Sequence, residues 1–195
     1  MDRRGFEGVA DLVRRARSYR RFDEAAGVPS ELMVGLVGIA RMTASGANRM
    51  PLRYRIVSSP EEREAVCARL KWAAALKDWD GPAAGERPAG YIVICDAGGG
   101  ATTAVDEGIA AQSIVLAAAA AGYGACMLHA FDKGEVARAL GLPAGVAPLM
   151  VVALGKPAET VVLEPLADDA ADTGYWRDAA GVHHVPKRSL EQVLL

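Results

Sequence analysis

The chain lacks most of the devices by which a sequence announces its chemistry. Among its 195 residues there are three cysteines, Cys67, Cys95 and Cys126. An odd count in apolar surroundings excludes a disulfide framework and reads as buried free thiols in a reducing cytosol. Metal-type spacing is missing too. His183 and His184 are adjacent, so in a strand their side chains diverge, and no cysteine pair lies near them. His129 stands alone. There is no phosphate-cradling P-loop and no Gly-x-Ser-x-Gly elbow. Gly122-x-Gly124 follows an apolar run, whereas a dinucleotide fingerprint needs glycines that precede a helix. A formal net charge of −2 gives no pull toward nucleic acid. The opening MDRRGFEGVADL has no apolar signal core, so a cytoplasmic protein is expected. The apolar stretch 109–121 is shorter than the ~20 residues a bilayer demands, and Gln112 and Ser113 interrupt it, which argues against a membrane span. An enzyme without its own catalytic side chains takes its chemistry from a cofactor.

What is present is an ordered alternation of helical and strand patterns. The centre is 104–126, AVDEGIAAQSIVLAAAAAGYGAC. Alanine favours the helix and Gly122 stops it. A rod apolar almost all round belongs in a core or at a large subunit interface. Ahead of it, 4–17 carries Phe6, Val9, Val13 and Ala16 at helical spacing. A second helix opens at Val28-Pro29-Ser30-Glu31 and carries Leu32, Leu36, Val37, Ile39 and Ala40. A third begins at the Ser59-Pro60-Glu61-Glu62 capping box and is expected to run past Val66, Leu70, Ala73 and Leu76 to Trp79. Residues 80–89 form a loop long enough for a lid or a subunit contact. Strands are expected at 52–58, 91–95, 125–130 and 148–155, with a short edge piece at 161–163. Asp132 caps a helix that ends near Leu140. Four main strands with helices between them make one α+β domain over 1–195.

Three polar clusters stand out. Arg17-Ser18-Tyr19-Arg20-Arg21 joins planar donor forks to a hydroxyl, a set suited to phosphate. A solvated basic face is the plainer reading of the same residues. Lys187-Arg188 supplies a second cationic pair near the other end. Between them, Ser45 and Asn48 lie in a small-residue loop, where turn chemistry suffices to explain them.

In this order the clusters resemble the nitroreductase family of flavoproteins. Arg17-Ser18-Tyr19-Arg20-Arg21-Phe22 is similar to its opening Arg-Ser-x-Arg-x-aromatic motif, and Ser45-x-x-Asn48-x-x-Pro51 to its Ser-x-x-Asn-x-Gln-Pro loop. Residues 106–126 resemble its long interface helix and Gly-Leu-Gly-x-Cys turn. Ala153-Leu154-Gly155-Lys156-Pro157-Ala158-Glu159 matches its Gly-x-Pro-x-Glu segment, and Val185-Pro186-Lys187-Arg188 its basic ending. The resemblance implies a homodimer with a mostly antiparallel sheet and two FMN molecules in the interface. Arg17, Ser18, Tyr19, Arg20, Lys187 and Arg188 would then hold the phosphate and ribityl chain. Ser45, Asn48 and Met50 would meet the flavin from the partner subunit, and Leu128, His129 and Ala130 would offer backbone N–H groups near N5 and O4. NAD(P)H would be the transient hydride donor, and a nitroaromatic, quinone or other flat molecule the acceptor. The alternative is an FMN carrier or sensor with little turnover. Met50 where glutamine is commoner, Leu52 where tryptophan is common, Ala16 for arginine, and Tyr175-Trp176-Arg177-Asp178 depart from the family pattern.

Overall fold

The structure is a computed structural model and describes residues 3–167 and 172–195. Its frame is a five-stranded antiparallel sheet. Strand β5 (Ala147–Pro157) pairs with β3 (Gly90–Asp96) along one edge and with β4 (Gly124–Leu128) and the short β1 (Phe22–Asp23) along the other. Strand β2 (Leu52–Val57) closes the far edge against β3. The continuous apolar run of β3 is explained by helices on both faces. Tyr91, Val93 and Cys95 point to one core with Val66 and Val136. Ile92 and Ile94 point to the other with Met33, Leu36, Ala111 and Ile114. The second core belongs to α2 (Ser30–Ala40) and α4 (Thr103–Ala120); the first belongs to α3 (Pro60–Cys67) and α5 (Lys133–Ala139).

Helix α4 ends as its sequence dictates. Gly122 sits at φ +74°, Tyr123 N–H donates to Ala118 O at 2.9 Å and Gly122 N–H to Ala119 O at 3.1 Å, the paired bonds of a glycine-terminated helix. The caps expected at Ser59 and Asp132 are also present, each side chain accepting from the backbone three residues on.

Other boundaries differ from expectation. Helix α3 stops at Cys67. Leu70 instead bridges to Phe131 and Lys71 N–H donates to Ala130 O at 2.8 Å. Ala73 has φ +38°. Leu70 and Ala73 are buried as foreseen, and Trp72 with them, but by tertiary pairing that overrides helical spacing. Strand β4 ends at Leu128, so His129 and Ala130 leave the sheet. The 80–89 loop is pinned to its own chain: Gly85 N–H donates to Glu24 Oε2 at 2.7 Å, Phe22 N–H to Glu86 O at 2.9 Å, and Arg87 pairs with Glu64. A second small sheet was not foreseen. Strand β6 (Val161–Pro165) runs parallel to β8 (His183–Lys187), and β7 (Trp176–Arg177) is antiparallel to β8. A short α6 (Leu190–Val193) follows, closed by a Ser189/Gln192 capping box.

The first helix, α1 (Arg3–Arg15), keeps the spacing read for it. Its apolar residues Phe6, Val9 and Val13 nevertheless face outward, as do Val34 and Ile39 of α2 and Val105 and Ile109 of α4. Among the described residues no helix is long and apolar enough to cross a membrane.

Candidate functional site

The Arg17–Arg20 segment is fixed by the end of β4. Ser18 bridges to Ala125, and Tyr19 N–H donates to Ala125 O at 3.0 Å. Close approach is possible because Gly124 has no side chain: a Cβ there would lie 2.8 Å from the Tyr19 ring. The glycine turn after α4 is thus a seat for the arginine loop. From the other side, Glu159 accepts from the backbone N–H groups of Arg20 and Arg21 and pairs with Arg177 Nη2 at 2.8 Å.

This seating gathers Arg17, Ser18, Arg20 and Lys187 around one cleft of about 380 Å³, with Gln112 of α4 and His183 of β8. Lys187 arrives there by strand alternation, since His183, Val185 and Lys187 share a face of β8. The side chains of Arg17, Arg20 and Lys187 have no carboxylate partner among the described residues. Arg17 Nε is buried with no hydrogen-bond acceptor, and burial pulls its pKa below the usual arginine range. Converging, partly desolvated cations with no internal counterion suit a bound anion. The donor set fits a phosphate monoester such as that of FMN.

A separate cleft of about 260 Å³ is lined by Ser45, Met50, Tyr54 and Asp106. Its loop is held by a buried carboxylate that sequence reading did not single out. Ser45 Oγ donates to Asp106 Oδ2 at 2.6 Å and Gly46 N–H to Oδ1 at 2.9 Å, while Ser45 Oγ accepts from Met50 N–H at 2.9 Å. The Ser45 bond, then the Gly46 bond, hold Asp106 below the ordinary carboxylate pKa. The loop carries three side chains at positive φ, Ala47 at 50°, Asn48 at 53° and Met50 at 48°, a conformation that costs energy and needs such anchoring. Gly46 has no room for a side chain, because a Cβ would come within 2.3 Å of Thr102.

The remaining expected residues are dispersed. Tyr19 packs on Gly124 and lines neither cleft. Arg188 and Asn48 are exposed outside both. Leu128 is buried in the core. His129 is exposed, with Nε2 at 3.7 Å from Glu107. The backbone N–H groups of His129 and Ala130 donate to no other residue among those described. Sequence reasoning gave Asp106 no role, weighed His183 only as a metal ligand and noted Tyr175 only as a departure from the family pattern. The only signals for them were Asp106 in the first turn of a long apolar helix and histidine in an alternating tail.

Comparison with known proteins bears on the family and the fold. The family model described as Nitroreductase family matches residues 13–156. A protein of Methanothermobacter thermautotrophicus, named as a proposed NADH dehydrogenase/NAD(P)H nitroreductase, is 28% identical over 167 residues, which cover 82% of this chain and 83% of that one. A crystal structure from Bacteroides thetaiotaomicron with the same descriptive name superposes with a TM-score of 0.66 at 24% identity, covering 78% of this chain and 88% of that one. An FMN-dependent nitroreductase of Clostridium difficile gives 0.60 at 17% identity, covering 81% and 91%. The fold is that of these structures, and with most of its length inside the family model the chain belongs to the nitroreductase family.

Proposed function

We propose that the chain is an FMN-dependent NAD(P)H oxidoreductase that acts as a homodimer in the cytoplasm, with residues 1–195 as one flavin-binding domain. The observation that carries this reading is the gathering of Arg17, Ser18, Arg20 and Lys187 around one cleft, with no carboxylate paired to Arg17, Arg20 or Lys187 among the described residues. Relatives named as NAD(P)H nitroreductase and FMN-dependent nitroreductase support the choice of anion and of hydride donor.

When bound, FMN would supply the redox chemistry between NAD(P)H as hydride donor and a nitroaromatic, a quinone or a similar flat acceptor. The chain's residues bind and orient. Arg17, Arg20 and Lys187 neutralise the phosphate, and Ser18 adds a hydroxyl donor. The uncommitted N–H groups of His129 and Ala130 are suited to the polar edge of the ring. The Ser45–Met50 loop lies at the other cleft of its own chain; in a dimer it meets the flavin held by the partner, with Met50 shaping the space above the ring. The exposed apolar faces of α1, α2 and α4 are the surfaces such a dimer covers, and Gly8, Gly35, Gly38 and Gly108 have nothing within 4 Å of a Cβ, so a second helix can approach closely. No acid or base beyond solvent protons is required.

Steady-state oxidation of NADH and NADPH, with menadione as acceptor under anaerobic conditions, tests the reading. Parallel lines in double-reciprocal plots are expected for two reactants that share one pocket. Stoichiometric FMN with negligible turnover would refute the reductase assignment and favour a carrier.

A further inference from the structure

Arg20 is the most buried cation of the phosphate cleft, at 9% exposure. Its guanidinium is held in part by residues that no family motif marks, His183 and Tyr175. Nη1 donates to Ser18 O at 3.2 Å and meets His183 Nε2 at 3.0 Å. The Tyr175 ring lies 4.4 Å from the guanidinium carbon, and its centroid is 5.2 Å from that of His183. A guanidinium is charged at every working pH and can only donate. His183 Nε2 must therefore accept, which puts the imidazole proton on Nδ1 and keeps the ring neutral. Nδ1 is buried with no partner among the described residues.

The surroundings enforce that state. His183 is fully buried. Arg20, Arg177 and His184 face it as cations or potential cations, and among the described residues Glu159 is the carboxylate opposed to them; burial first, then Arg20, push the His183 pKa down to about 4. Its backbone is fixed as well, with His183 N–H donating to Thr160 O at 2.9 Å. Both protein acceptors of Arg20 meet the same nitrogen. Nε and Nη2 make no hydrogen bond among the described residues, on a side chain that lines the cleft. Lys187 reaches the same cleft four residues further along β8.

We propose that His183 is a positioning residue: as a neutral acceptor it holds Arg20 Nη1 so that the rest of the fork is presented to the phosphate. The proposal takes the identity of the anion from the flavin reading above, and the arrangement from the side chains themselves. It makes β8 the rear support of the site. Through β8, the Tyr175–Asp178 segment that departs from the family pattern becomes part of how phosphate is bound. A hydrophobic residue at 183 would fill the space and leave the fork free to swing; glutamine would restore an acceptor.

The test compares wild type, His183→Leu and His183→Gln in the full chain freed of any flavin, after thermal melting confirms that each is folded. Dissociation constants for FMN and riboflavin are measured by flavin fluorescence. Inorganic pyrophosphate is titrated while the Arg20 Nε–H resonance is followed by NMR. The expected result is about tenfold weaker FMN binding in His183→Leu, as for one charge-assisted hydrogen bond. FMN binding by His183→Gln should stay within about threefold of wild type, riboflavin binding should be unmoved, and pyrophosphate should follow FMN. Equal weakening of FMN and riboflavin, or no rescue by glutamine, would overturn the proposal. Wild type that binds pyrophosphate at Arg20 but no FMN would overturn the flavin reading alone. An Arg20 resonance that does not respond to pyrophosphate, in a wild type that also binds no FMN, would overturn both.

Discussion

Glu159 is where the arginine loop and the tail are tied together, and removing its charge gives a result that can be calculated in advance. Its side chain is 1% exposed and that of Arg177 is 11% exposed, with 2.8 Å between them. Its other oxygen accepts from the N–H groups of Arg20 and Arg21. Glu159→Gln retains an oxygen for those backbone donors but turns an amide toward a buried guanidinium. Stranding one member of a buried pair costs about 3–5 kcal/mol. Arg177 also lies over the Trp79 ring at 4.9 Å, which offsets roughly 0.5–1 kcal/mol. A net loss of about 3 kcal/mol should lower the melting temperature by roughly 6–12 °C for a chain of this length. The assay is a double-mutant cycle of Glu159→Gln and Arg177→Met by urea denaturation. Because the second change removes the stranded charge, the double variant should be more stable than the sum of the single losses by over about 1 kcal/mol. Additivity within about 0.5 kcal/mol would refute the claim that this pair fastens the tail to the arginine loop.

Arg20→Ala should weaken FMN binding by about 1.5–3 kcal/mol, measured by fluorescence titration, through loss of a charged phosphate contact. Gly46→Ala should destabilise by about 1–3 kcal/mol in chemical denaturation, because its Cβ would collide with Thr102. The two tail histidines should act oppositely with pH. His184 lies between Glu164 at 3.0 Å and Asp178 at 3.3 Å and stacks on Trp176; these carboxylates raise its pKa although burial opposes them. Its contribution is therefore complete below the unfolded value of about 6.5 and lost as pH rises through the higher folded value, so His184→Gln should flatten the decline of melting temperature above neutrality. His183, with its pKa pushed down to about 4, should instead destabilise the fold progressively as pH falls from about 6.5 toward 4; His183→Gln should flatten that acid limb.

The sheet was legible where burial on both faces left a pattern local in the chain. Tyr91–Cys95 and the 148–155 run read as buried strands because neither carries a polar side chain beyond the Tyr91 hydroxyl and the Cys95 thiol, and α4 read as a helix because alanine and a terminal glycine act within a few residues. The N-caps at Ser59 and Asp132 were legible for the same reason. What escaped depends on contacts between distant segments. Leu70 and Ala73 continue the helical spacing of α3 yet leave the helix, because Leu70 and Lys71 pair with the 130–131 segment. Strand β8 reads as a mixed polar tail until β6 and β7 are set beside it. In the site, Arg17, Ser18 and Arg20 could be named from their clustering and the family likeness. Lys187 and Arg188 looked equivalent in sequence, but strand alternation brings only Lys187 to the cleft. His183 and Asp106 show their importance only through partners 163 and 61 residues away.

The most direct test of the flavin-site account is the visible absorption spectrum of the purified protein, with any released chromophore identified by mass. The account predicts flavin bands and about one FMN per chain, with Arg20→Ala showing a reduced share. A colourless protein that also fails to take up added FMN would contradict it, and would leave the cations of the cleft facing water.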